Sequence, residues 1–307
     1  MSKPPVILDH DGAVDDFLST VLLMTMDGVQ PLGVVVTPAD CYIGPAVSAT
    51  RKILDLMGKT DVTVAESTVR GVNPFPGRFR RDCFVVDHLP ILNERDAIAT
   101  PLAPEPGQEF LAEAIRNAAE PVTLMVTGPL TTVAEALKIA PDIESNIEKI
   151  VWMGGALNVP GNVGKDMEPG QDGSAEWNAY WDPFAIAQIW ETQIPVVLCA
   201  LDITNTVPLT SDLIRQLGRQ RRYPLSDLAG QCYAIAISQD YYFWDVLATA
   251  YLADPERYEL QALETGVITR GESQGRIVLK PGGRRIQMMR RVDLDWFYSY
   301  ILEQWRR

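Results

Sequence analysis

A recurrence limits most strongly what this chain can become: short apolar runs alternate with longer stretches of helical spacing. Runs at 5–8, 32–36, 62–65, 122–126, 150–153 and 195–198 read as strands, and 14–26, 47–57, 110–119, 130–139 and 183–192 read as helices. Strands that are apolar throughout, with helices between them, belong to a parallel sheet covered on both faces. The expected class is therefore α/β, a doubly wound and mostly parallel sheet. Farther along, the pattern predicts a helix over 244–253, a hairpin over 275–290 and a closing helix from Leu294. No composition shift, repeat or linker divides the sequence, so 1–307 is read as one domain. Two stretches rich in Gly, Pro and polar residues, 71–82 and 158–174, read as long loops of the kind that carry function.

Open α/β sheets bind ligands beyond the carboxyl ends of their strands. At that end of the first strand stands "DHDGAVDD", with four acids: Asp9, Asp11, Asp15 and Asp16. A strand period of two places Asp9 and Asp11 on one face if the chain stays extended. Asp15 and Asp16 fall in the first turn of the next helix, where the dipole favours acids by ~0.3–1 kcal/mol each. The dipole explains that pair and not the whole set, because burying unpaired carboxylates costs roughly several kcal/mol each. A hard divalent cation relieves the repulsion, and an all-oxygen donor set indicates Ca²⁺ or Mg²⁺ rather than zinc. A rival reading takes Asp9-His10-Asp11-Gly12 as the turn of a Mg²⁺-dependent phosphohydrolase with Asp9 as its nucleophile.

Composition removes other classes. A net charge of −13 and a pI of about 4.7 argue against nucleic acid or an anionic membrane as partner. No apolar run approaches the roughly 18 residues that span a bilayer, and residues 1–5 lead into a strand without a signal-peptide pattern. Cys41, Cys83, Cys199 and Cys232 form no CxxC pair, so reduced thiols and a cytoplasmic location are expected. The only histidines are His10 and His88, which argues against a His-rich metal site. His10 points away from Asp9 and Asp11 along the strand and reads as packing. Asp182 before Pro183 reads as a helix cap.

Further segments, taken in order, resemble the nucleoside hydrolases. DxDxxxDD at Asp9–Asp16 is similar to that family's opening signature. Val126-Thr127-Gly128-Pro129-Leu130-Thr131 resembles its TGxLT turn, and Val151-Trp152-Met153-Gly154-Gly155 its MGG strand end. Gly161-Asn162, Glu176-Trp177-Asn178 and Asp182-Pro183 resemble its sugar-binding series, and Trp244-Asp245 stands at its last metal-binding aspartate. The resemblance runs from about residue 5 to residue 255. It implies the nucleoside hydrolase fold and Ca²⁺ held by Asp11, Asp16, Asp245 and the Thr127 carbonyl. Asp11 would be the general base for a water made acidic by the metal. Asp15, Asn162, Glu176, Asn178 and Asp245 would bind ribose hydroxyls, and Asp9 would orient its neighbours from behind.

Many members carry a histidine just before the last metal aspartate; here the residue is Trp244. That departure, with Pro38–Cys41, Asp172–Pro183 and Leu201–Pro208, is similar to the purine-specific inosine-adenosine-guanosine branch. The implied substrate is a purine ribonucleoside whose base stacks on aromatic rings. Asp40 would meet the base edge, with Phe79 near where that branch has a tryptophan and Ala13 where it has an asparagine. A small-molecule partner, and an assembly of two or four copies, are expected. The rivals are broader base specificity, the phosphohydrolase, and a nucleoside-binding protein without catalysis.

Overall fold

In the computed structural model, residues 3–236 and 240–307 are described. Nine strands form one sheet: β1 (Pro5–His10), β2 (Gln30–Val36), β3 (Thr63–Glu66), β4 (Val122–Val126), β5 (Ile147–Met153), β6 (Val196–Cys199), β7 (Tyr258–Val267), β8 (Ile277–Leu279) and β9 (Arg284–Val292). Their spatial order is β3-β2-β1-β4-β5-β6-β9-β7-β8. Pairing is parallel from β3 to β9, and β7 runs antiparallel to both β9 and β8. The order reverses at β1, which lies between β2 and β4, so the crevice of the sheet opens at the ends of β1 and β4.

Helices cover both faces. Those before the third-last strand are α1 (Val14–Thr25), α2 (Ile43–Leu56), α3 (Asp82–Asp87), α4 (Gly107–Asn117), α5 (Thr131–Ile139), α6 (Trp177–Trp181), α7 (Pro183–Glu191), α8 (Leu201–Thr204), α9 (Ser211–Arg219), α10 (Pro224–Ala236) and α11 (Asp245–Ala250); α12 (Leu294–Gln304) closes the chain. The period of two along β1 sorts its residues between two cores. Val6 and Leu8 pack with residues of α1, α2, α10, α11 and α12, while Ile7 packs with residues of α4, α5 and α7. His10 is fully buried on the first side, its Nε2 3.0 Å from Thr50 Oγ1 and its ring edge-on to Phe17, in agreement with packing. All twelve residues of α1 are buried, as expected of a helix with other helices on its outer face. Each large apolar side chain buried in this way stabilises the fold by roughly 1.5–3 kcal/mol.

Two expectations change. The 275–290 segment forms no hairpin of its own: β8 and β9 each pair with β7 and not with each other. Strand β7 was not expected, because Tyr-Glu-Leu-Gln-Ala-Leu-Glu alternates exposed and half-buried residues instead of running apolar. Helix α9 was also unforeseen; it buries only Leu213 and Leu217, one turn apart on a polar cylinder. Within 71–82, Phe79–Arg81 make a 3₁₀ turn and Asp82 opens α3, while 158–174 carries neither helix nor strand.

Candidate active site

The acidic segment follows β1 directly. Gly12 turns the chain with φ +83°, and a Cβ there would stand 2.6 Å from Cys41 Cβ, so only glycine fits the turn. The strand ends at His10, ahead of this turn, and the two acids expected on one face are placed differently. Asp11 lines a cavity of about 240 Å³; Asp9 does not. Gly128 lets the β4 turn approach, since a Cβ on it would stand 2.8 Å from Asp11 Cβ.

Asp9 lies behind the cavity. Its Oδ1 accepts from Thr37 Oγ1 at 2.7 Å, Thr37 meets Thr132 at 2.5 Å, and Thr132 meets Ser67 at 2.9 Å. Burial pushes the Asp9 carboxyl up to about 8, against the Thr37 hydrogen bond and helped by the charge of Asp16. An acid enclosed in this way has no path to a substrate phosphate, which removes the nucleophile role. Supporting its neighbours from behind is the role that this position allows.

Asp16 is also set back. Its Oδ2 accepts from the Ala13 amide at 2.8 Å and its Oδ1 from Thr127 Oγ1 at 2.5 Å. Asp15 has both oxygens engaged: Tyr233 donates to Oδ1 at 2.6 Å, and the amides of Asp245 and Val246 donate to Oδ2 at 2.7 and 3.1 Å. Asp15 is fully buried and lies off the cavity wall, so the structure does not bring it to where a ribose would bind. Burial raises its carboxyl to about 6, against these hydrogen bonds.

Asp11, Asp245 and Thr127 form the acidic end of the wall. Burial and the surrounding negative charges hold the Asp11 and Asp245 carboxyls well above the usual range. Among the described residues, no three acidic, His or Cys side chains form a closed ligand cage. The donor chemistry nevertheless fits a hard divalent ion. A cation drawn among the acids of Asp11, Asp16 and Asp245 would relieve the repulsion between them. The Thr127 carbonyl already accepts from Asn178 Nδ2 at 2.8 Å and keeps a second lone pair for such an ion.

Asn162, Glu176 and Asn178 continue the wall. Glu176 caps α6 and is held by three amides: Asn178 N on Oε1 at 2.8 Å, and Gly155 and Ala179 N on Oε2 at 2.8 and 3.0 Å. Asn162 Oδ1 accepts from Trp177 N at 3.0 Å. These bonds fix the side chains before any ligand arrives. Asp182 caps α7 by accepting from Ala185 N at 3.1 Å, as its sequence context suggested.

The far end is aromatic. Phe79 and Trp244 both line it, in separate ring groups. Phe75 and Phe79 lie 5.2 and 6.2 Å from Trp177, while Trp244 meets Tyr241 at 4.5 Å. Asp40 also lines the cavity, beside the acids, its amide donating to Asp11 Oδ2 at 3.2 Å. Sequence reading gave no role to Trp177, Asp82, Asp240, Met153 or Phe75, although all line the cavity. Trp177 was legible in principle, since its neighbours Glu176 and Asn178 were both singled out. No histidine lines the wall: His10 is in the core, and His88 is exposed with Nδ1 2.8 Å from the Phe84 carbonyl. The four cysteines are free and buried. No described helix is long and apolar enough to cross a membrane.

Known proteins share this architecture. The crystal structure of an inosine-uridine preferring nucleoside hydrolase from Bacillus anthracis is 45% identical, covers 99% of both chains and superposes with a TM-score of 0.94. A purine-preferring ribonucleoside hydrolase from Gardnerella vaginalis shares the fold, with 23% identity, 98% coverage of both chains and a TM-score of 0.80. A pyrimidine-specific ribonucleoside hydrolase of Shewanella woodyi is 29% identical over 90% of this chain and 88% of its own length. The family model of the inosine-uridine preferring nucleoside hydrolases matches residues 6–299, and the chain belongs to that family as a hydrolase of N-glycosyl bonds.

Proposed function

We propose that this enzyme hydrolyses purine ribonucleosides (inosine, adenosine, guanosine) to ribose and free base, with Ca²⁺ as its metal. The observation that carries the purine reading is the composition of the far end: aromatic rings and acids line it, and no histidine does. A purine stacked there gains roughly 1–3 kcal/mol per aromatic partner. The π-faces of Phe79 and Trp244 and the carboxyl oxygens of Asp40, Asp82 and Asp240 favour a base that takes up a proton as it leaves. With no imidazole in reach, that proton comes from solvent.

Asp11, Asp16, Asp245 and the Thr127 carbonyl would hold the calcium. Bound there, it would supply positive charge that lowers the pKa of a nearby water and attracts ribose hydroxyl oxygens. Asp11 then accepts the proton of the attacking water, a role that its place on the wall permits. Asn162, Glu176, Asn178 and Asp245 bind the sugar hydroxyls. Fixed carboxylates around the ring stabilise the positive charge that develops as the glycosidic bond breaks.

Broader base specificity is the second reading, favoured by the pyrimidine-specific Shewanella relative and the inosine-uridine preferring Bacillus neighbour. Ribose release measured with inosine, adenosine, guanosine and uridine separates the two. The purine reading expects the first three to be turned over well and uridine poorly; uridine turnover comparable to that of inosine selects the second.

A further inference from the structure

We infer that Tyr233 is a positioning residue for the acidic end of the cavity: it holds Asp15, and through Asp15 the first turn of the helix that presents Asp245. The inference rests on the metal reading proposed above.

The chain of contacts is short. Helix α11 is only six residues long, and Trp244 at its N-cap offers no side-chain hydrogen bond. Its first amides would be left unsatisfied without an acceptor from elsewhere. Asp15 of α1 supplies it, taking the amides of Asp245 and Val246 on one oxygen. The other oxygen takes the Tyr233 hydroxyl at 2.6 Å. The orientation of the Asp15 carboxylate, and with it the start of α11, therefore depends on a hydroxyl 218 residues away in sequence.

Tyr233 is itself fixed. It has no exposed surface, and its ring meets Phe243 edge-on at 5.2 Å, Tyr241 at 6.3 Å and Trp305 at 6.0 Å. Tyr241 in turn meets Trp244. The residue thus touches, through one neighbour each, the acid that leads α11 and the ring that closes the base end. Without the hydroxyl, Asp15 Oδ1 is left unpaired beside Asp16 and is free to turn, and the amides that it holds lose their reference.

The test is Tyr233→Phe, which removes one oxygen and keeps the ring. Tyr258→Phe is the control: Tyr258 donates to the Leu247 carbonyl of the same helix at 2.8 Å but touches none of the acids. Calcium affinity is read by calorimetry on the wild type and both variants, with kcat and KM for inosine and thermal melts alongside. Tyr233→Phe should weaken calcium binding and kcat by about tenfold each with KM changed less, while Tyr258→Phe lowers only the melting temperature. A Tyr233→Phe protein that binds calcium and turns over like the wild type overturns the inference. So does equal loss in both variants, or a Tyr233→Phe protein that fails to fold, since either makes the hydroxyl merely structural. A wild type that binds no calcium instead overturns the metal reading, and this inference with it.

Discussion

The two ends of the cavity are built differently. The acidic end hangs from the carboxyl ends of β1 and β4 and from helix starts, and backbone amides hold its side chains and the acids behind them: Glu176 takes three, and behind the wall Asp15 takes two and Asp16 one. The aromatic end is made by the 3₁₀ turn at Phe79–Arg81 and the segment around Trp244, and it keeps the Trp244 Nε1 donor without a partner among the described residues. Backbone amides orient much of the first end in advance, while Trp244 Nε1 at the other is open to an acceptor that a base can bring. The account therefore assigns cleavage to the first and choice of base to the second.

The largest expected effect lies at the acidic end. Asp11→Ala should lower kcat for inosine by about 10³-fold or more, as loss of a general base does, while free base still binds. Equal loss of base binding would break the division between the ends. Trp244→Ala should lower kcat by about 10- to 100-fold and weaken the binding of free hypoxanthine, measured by fluorescence titration. Phe79→Ala should do the same to a lesser degree, about three- to tenfold, since it removes one ring from a group that keeps Phe75 and Trp177.

The smallest effect is on stability. Folded Asp9 keeps its proton until about pH 8, whereas an unfolded chain releases it near 3.8. The folded state then binds more protons, so this contribution is complete below about pH 4 and is lost as pH rises through 8. Asp15, raised to about 6, acts in the same direction over a narrower range. Metal-free protein should melt lower at pH 8 than at pH 5, and calcium should narrow that gap by ligating ionised acids. A metal-free melt that rises from pH 5 to pH 8 contradicts the burial of these acids.

The acidic end was legible in sequence because strand ends and helix starts have a fixed period, so "DHDGAVDD" could be placed before any coordinates. The period did not survive the end of β1 at His10: Asp11, just past the strand, lines the cavity, and Asp9 stays behind it. Nor could the sequence show that Asp15 faces Tyr233 and the start of α11, a contact across more than 200 residues. The aromatic end was only half legible. Trp244 follows from its place beside Asp245, whereas Asp82 at the start of α3, and Asp240 and Phe75 in loops, reach the wall through tertiary placement that no local period encodes. Strand β7 was missed for a related reason: a half-exposed edge region has no apolar run to announce it.

The central claim is best tested by the ratio of kcat/KM for inosine to that for uridine, measured in the wild type and in Trp244→Ala with calcium present and after chelation. The account predicts a wild-type ratio of about 100 or more, its collapse toward one in Trp244→Ala, and loss of both activities on chelation. A wild-type ratio near one, or a high ratio that Trp244→Ala leaves intact, would contradict it.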